Sequence, residues 1–153
     1  MLFLRLASNI SLGPGLWRCH GECIALLTYL GLHTETSEAP YEPTASSEAR
    51  RRLVSQIFNI DKVVASFVGR PPLLSRRYLL TPLPLDLNDE DLMGDKDKLS
   101  RAIANLDSNG WGQEGKLYST TILRARCLLC RNKDEIMEVA LGHPSFITVD
   151  KLM

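Results

Sequence analysis

The sequence predicts a mainly α protein, an irregular multi-helix bundle with a proline-rich extended loop. Three observations carry that expectation. Apolar residues recur at three- and four-residue steps through the longest periodic stretches. Those stretches close on glycine or proline, as helices do. Nowhere do β-branched and aromatic residues alternate with polar ones between hairpin turns, so no strand pattern is expected. At 153 residues the chain is long enough to bury a real core as one domain.

The elements follow in order. Residues 2–12 form a short apolar piece read as the end of a helix, stopped by Gly13-Pro14-Gly15. With Arg5 inside a very short apolar run and no charged leader before it, this opening does not read as a secretory signal. A helix is expected over 16–30, with Leu16, His20, Cys23, Leu27 and Leu30 along its inner side, Trp17, Ile24 and Tyr29 around it, and Gly31 as its stop. Residues 34–47, rich in Thr, Ser, Glu and Pro, read as an exposed loop.

The stretch 49–92 organises the rest. Its first half is a helix whose inner stripe is Leu53, Ile57, Ile60, Val64 and Phe67, widened by Val54, Phe58, Val63 and Val68. Glu48 stands in its first turn, where the helix dipole favours an acid, and no strict capping box precedes it. Gly69 is expected as a left-handed cap, and Pro71-Pro72 bars continuation. Beyond it, Leu83, Leu85 and Leu87 alternate with Pro84 and Asp86, which predicts an extended strap laid on the helices with leucines inward. Residues 88–92 are acidic and expected to be exposed. A short helix over 95–106 carries Leu99, Ile103 and Leu106 on one face, and 107–115 is a turn. A long helix over 118–141 puts Ile122, Ala125, Leu129, Ile136 and Ala140 inward; Gly142 and Pro144 end it as Gly69 and Pro71 end the earlier one, and Ser145 caps another.

Chemistry-bearing patterns are few. Cys19-x3-Cys23 and Cys127-x2-Cys130 have the residue types of a four-thiolate zinc site, but both pairs fall inside apolar helices. Structural zinc takes such pairs from turns that wrap the metal, and in a helix cysteine is a small hydrophobe. His20 with Cys23 is formally a dyad without a third group to orient it, so a satisfied core histidine is the better reading. Asp107-Ser108-Asn109-Gly110-Trp111-Gly112 starts like a calcium loop. It fails at Trp111 and at Tyr118, where a bidentate Glu is required, and reads as a turn that docks Trp111 on the core.

Arg50-Arg51-Arg52 and Arg70, Arg76 and Arg77 lack the interleaved aromatics of a base-stacking surface. Pairing with local carboxylates is the better reading. Asp61, on the flank of the apolar stripe, should be partly buried and needs a partner. The expectation is Arg70, Arg76 or Arg77, tying the helix to the loop. Charge is balanced at 18 basic against 18 acidic residues, so no global field favours nucleic acid. No apolar run approaches the ~20 residues of a membrane span.

Several of these segments together carry a resemblance. Arg50-Arg51-Arg52, Asp61-Lys62, Gly69-Arg70-Pro71, Ser75-Arg76-Arg77-Tyr78 and Pro82-Leu83-Pro84-Leu85-Asp86 resemble the fungal-specific transcription factor domain. That domain is the middle homology, or xylanolytic activator regulatory, region of fungal zinc-cluster transcription factors. Gly31-Leu32-His33 resembles the end of one of its helices, though Thr34 stands where a basic residue is usual. Leu106-Asp107-x-Asn109-Gly110-Trp111 and Glu114-Gly115-Lys116-Leu117-Tyr118 resemble the segment just after the proline loop in some members.

The resemblance implies a partial regulatory domain over 1–153, cut at both ends and non-catalytic, with no cofactor of its own. DNA and zinc would be bound by a six-cysteine module outside this chain. Protein partners or a small inducer would shift it between inhibited and active states, and its place would be the nucleus. Arg52, Asp61, Gly69, Arg70, Pro71, Arg77, Pro82, Pro84 and Asp86 are its signature, in structural rather than catalytic roles. The alternative is a stand-alone helical protein-interaction module, or a truncated gene product without DNA binding.

Overall fold

The structure, a computed structural model, describes residues 14–35 and 41–142. Among the described residues five α-helices run in order: α1 (Pro14–Tyr29), α2 (Ala45–Val68), α3 (Asp89–Leu92), α4 (Lys96–Ala104) and α5 (Ser119–Leu141). A single 3-10 turn, Arg76–Tyr78, interrupts the long connection between α2 and α3. Among the described residues there is no strand, only one antiparallel bridge between Leu106 and Gly112. The expected helical piece over 2–12 and the features at Pro144 and Ser145 lie outside the described residues.

Helices α2 and α5 make the main interface, and α1 packs on α2. The two long helices run parallel, because Arg52 lies near Ser119 and Thr120, Lys62 beside Asp134, and Ser66 beside Met137. The apolar core is a compact cluster of Ile24, Leu27, Val54, Phe58, Leu74, Cys127 and Cys130. Residues 79–88 cross it as an extended strap without secondary structure.

Local chemistry explains the ends. Gly31, at φ +65°, closes α1 with Leu32 N–H on the Leu27 carbonyl and Gly31 N–H on that of Thr28, both at 3.0 Å. Gly69, at φ +67°, caps α2 as expected. Two expectations about ends fail. A capping box does start α2: Ser47 N–H donates to Thr44 Oγ1 at 3.0 Å and Thr44 N–H to Ser47 Oγ at 2.8 Å. Serine here does the work of the usual Glu or Gln. Gly142 is extended (φ −73°, ψ 159°), so α5 does not end on a left-handed cap.

The inward faces differ from the apolar periodicity in a consistent way. On α2, Leu53 (50% exposed) and Phe67 (65%) face outward. The buried face carries Val54, Phe58 and Ala65 together with Glu48, Arg51, Asp61 and Lys62. On α5, Ile122, Leu129 and Ile136 are exposed, while Thr120, Arg124, Cys127, Cys130, Asp134 and Met137 are buried. On α1, His20, Ile24 and Leu27 point in; Leu16, Cys23 and Leu30 do not. In the strap Leu87 is buried as expected, but Pro84 and Asp86 are buried more deeply than Leu83 and Leu85. Of the acidic stretch after the strap, Leu92 is buried. Leu99, Ile103 and Leu106 are half-buried, in line with the expected face.

Candidate functional site

The reason for the inversion is the backbone of the connection after α2. An irregular segment on the core has N–H and C=O groups with no ladder to pair them, and unpaired buried groups are costly. The helices meet this need with charged side chains. Asp61, fully buried, accepts Leu73 N–H on Oδ1 and Leu74 N–H on Oδ2, each at 3.0 Å. Lys62 donates to the Leu74 carbonyl and to Asp61 Oδ2 at 2.9 Å. Asp134 accepts Arg76 N–H at 2.9 Å, and its other oxygen lies 2.8 Å from Lys62 Nζ, close enough for charge attraction but outside hydrogen-bonding alignment. His20 Nε2 lies 2.9 Å from Asp61 Oδ1, which joins α1 to the same cluster; an ionised carboxylate only accepts, so His20 donates. Burial on its own raises the Asp61 carboxyl, but hydrogen bonds from Lys62 and His20 and the Lys62 charge hold it below the usual carboxylate range.

The strap proper is held by a second set. Glu48 accepts Leu85 N–H at 2.8 Å and the Tyr41 hydroxyl at 2.6 Å. Arg124, 2% exposed, donates to the carbonyls of Pro84 and Asn109 and lies over the Trp111 ring, 4.3 Å from its centroid. Burial pushes the Arg124 guanidinium below its usual value, opposed by Asp86, Asp107 and Glu48. Leu87 C=O accepts Thr120 Oγ1 at 2.8 Å and Arg52 Nη2 at 3.2 Å. Asp86 accepts Thr121 Oγ1 at 2.6 Å and Gly112 N–H at 3.2 Å, so it pins the 107–115 turn to α5. In that turn Gly110 is at φ +80°, and a Cβ added there would stand 3.0 Å from Leu85 Cδ2, so both backbone and space favour glycine.

The signature residues thus divide. Arg52, Pro84 and Asp86 meet at the seam between strap and helices, and Asp61 holds the turn at Leu73 and Leu74. Gly69 and Pro71 turn the chain, Arg77 forms a forked pair with Glu138 (3.1 and 2.9 Å), and Arg70 and Pro82 are exposed. Asp61 is buried completely, beyond the partial burial expected, and its partners are His20, Lys62 and backbone amides instead of Arg70, Arg76 or Arg77. Arginine side chains after Gly69 are too near the surface to follow it inside; Arg76 reaches Asp134 through its backbone and Glu135 through its side chain. The arginine clusters pair across the fold and not locally, and Arg50 meets carbonyls in place of carboxylates. Arg50 donates to the carbonyls of Gly31 and Thr34, Arg51 to Glu35 while stacked on Tyr41, and Arg52 to Asp89. Lys62, Arg124, Asp134 and Glu48 carry no functional pattern in the sequence. The available signal is a charge within each apolar helix, spaced to share a face with buried cysteines and phenylalanine.

The remaining chemistry is sparse. Cys19 and Cys23 are exposed on α1, against the expectation of core hydrophobes, whereas Cys127 and Cys130 are buried and burial pushes both thiols up. Among the described residues no three His, Cys, Asp or Glu side chains group as a metal ion would need, so the thiols present do not fit a zinc cluster. His20 turns inward to Asp61, away from exposed Cys23. A hollow of about 510 Å³ beside the 71–77 turn is lined by Pro71, Arg77, Met137 and Glu138, but Arg77 and Glu138 are spent on each other. Among the described residues no helix is long and apolar enough to cross a membrane.

Comparison with known proteins gives a consistent result. The profile of the family described as "Fungal specific transcription factor domain" matches residues 5–130. Over 76 residues, half of this chain, the sequence is 33% identical to "Pyrimidine pathway regulatory protein 1" of Saccharomyces cerevisiae. That stretch spans 8% of the length of the yeast protein. No solved structure matches.

Proposed function

The chain belongs to the fungal specific transcription factor domain family and is a transcription-regulatory domain of that type, and from this we propose a non-catalytic regulatory role inside the nucleus. In this reading the domain does not read DNA. It controls a DNA-binding module and changes that module's output by shifting between two states that a partner or small inducer binds unequally. Residues 1–153 act as part of one such domain.

The observation that supports the reading is the employment of the family's signature side chains. Arg52, Pro84 and Asp86 join the strap to α2 and α5, and Asp61 joins α2 to the turn at Leu73 and Leu74. None of them leaves an acid, base or nucleophile facing an open cleft with a partner poised for proton transfer. A strap held by ionic groups is also a natural two-state element, because its contacts are made or broken together.

The test is to insert the chain between a heterologous DNA-binding domain and an activation domain and measure reporter transcription in yeast. The insert lowers the output, and a strap-loosening Arg124→Met substitution relieves that effect at equal protein level. Output that is identical with and without the insert overturns the reading. A second reading, a helical protein-interaction module independent of transcription, is favoured by the exposed apolar face of α2 and α5.

A further inference from the structure

Part of the apolar stripe that periodicity places inward lies outward instead, while Val54, Phe58 and Val64 stay buried and Ile57 packs on the core. On α2 the exposed positions Leu53, Gln56, Ile60, Val63 and Phe67 follow a 3-4-3-4 spacing. On α5 the exposed positions Ile122, Ala125, Leu129, Asn132 and Ile136 do the same. This is the spacing of a heptad seam, and it recurs on two parallel helices whose inner faces are already occupied. Between them runs a groove of about 480 Å³ walled by Ile60, Val63 and Leu129.

Two features give the groove a chemistry. Its only charged lining residues are Arg126 and Lys133, and neither makes an ion pair among the described residues. At its floor lies Asn59, 6% exposed, whose amide nitrogen and oxygen both lack a hydrogen-bond partner among the described residues. Buried amides are seldom left so, and this one lines a surface that nothing covers.

We propose that the α2–α5 groove is the docking site of an acidic amphipathic helix from a partner protein, a third strand laid along the two seams. Its apolar residues at heptad spacing pack on Ile60, Val63 and Leu129, its acids meet Arg126 and Lys133, and one polar residue on its inner face takes both ends of the Asn59 amide. The seam of α2 from Leu53 to Phe67 is about 21 Å long, a length that suits three turns or more of a docked helix. Charge decides against the nearer occupants. Residues 1–13 carry Arg5 and no acid, and residues 143–153 balance Asp150 with Lys151. A second copy of the same face would set Arg126 and Lys133 against their own kind. The proposal holds whether or not the transcriptional reading does.

The test uses the full chain and a labelled, end-capped 21-residue peptide of three heptads, with Leu at the two seam positions and Glu on the flanks. A matched peptide carries Lys in place of Glu. Fluorescence polarisation reads saturable binding of the acidic peptide, at least about tenfold tighter than the basic one. Leu129→Glu, at an exposed position, abolishes binding while leaving the thermal transition in place. Arg126→Glu with Lys133→Glu reverses the preference between the two peptides. One inner Leu of the peptide changed to Asn tightens binding to the wild-type chain and weakens it to Asn59→Leu. Equal binding of both peptides, no binding of either, or survival of binding in Leu129→Glu overturns the proposal. So does sedimentation showing a dimer of the free chain that Leu129→Glu dissociates, since the occupant is then a second copy.

Discussion

The two sides of the α2–α5 pair reverse the usual arrangement of polarity. Toward the strap the helices bury Glu48, Asp61, Lys62, Arg124 and Asp134; away from it they expose Leu53, Phe67, Leu129 and Ile136. The inner face is thus selected by what it has to satisfy. An extended connection with bare amides and carbonyls needs donors and acceptors beside it, and a purely hydrophobic stripe offers none. The outer face, free of that demand, keeps Leu53, Ile60, Phe67, Leu129 and Ile136, while Val54, Phe58, Cys127 and Cys130 share the inner face with the charges.

Breaking the inner side should cost most. Lys62→Met leaves the Asp61 and Asp134 carboxylates buried without their shared cation and is expected to destabilise the chain by about 3–5 kcal/mol. Denaturant unfolding checks this. If the variant does not fold, adding Asp61→Asn and Asp134→Asn should recover a cooperative transition, because the unpaired charges are then gone.

Arg124→Met comes next, at about 2–3 kcal/mol, from the loss of charge-assisted bonds to the Pro84 and Asn109 carbonyls. Amide exchange should then quicken at Leu85 and in the 107–115 turn more than in α1.

The same cluster sets an acid limit. Because Asp61 binds its proton less readily when folded than when unfolded, the unfolded chain takes up the additional proton as pH falls. The stabilisation is therefore complete above the ordinary carboxylate value of about 3.9 and is lost as pH falls through the lower native value. Melting temperature followed from pH 6 to pH 2 should show this loss, and Asp61→Asn should flatten the curve. A wild-type melting temperature that rises over the acid range contradicts the assignment.

The outer side should barely respond. Leu129→Gln, at a position 68% exposed, is expected to stay within about 0.5 kcal/mol of the parent in the chain alone. A loss of about 2 kcal/mol or more in denaturant unfolding would mean that this face is already covered in the free protein, and the contrast between the two sides would fail.

Much of the fold is legible in the residues alone. The helices α2 and α5 declare themselves by long periodic runs, and Gly31 and Gly69 by the backbone freedom that left-handed caps require. The strap is legible from its prolines, and the burial of Asp61 from its place on an apolar helix flank. The partners of Asp61 are not legible. His20 lies 41 positions away and Asp134 reaches Lys62 across 72 more, distances over which local spacing carries no information. The Thr44–Ser47 box escapes notice because a serine takes the place where a longer acceptor is the usual sign.

Short-range properties, which propensity, capping and motif all are, settle from the residues alone that the chain is helical, where the helices break, and which family it belongs to. Which face of each helix points inward is a tertiary outcome. Both α2 and α5 carry an apolar stripe and a charged one, and either could face a neighbour of the right kind. The choice falls to the strap, whose unpaired backbone is matched only by the charged face, and which side wins depends on contacts between segments far apart in the chain.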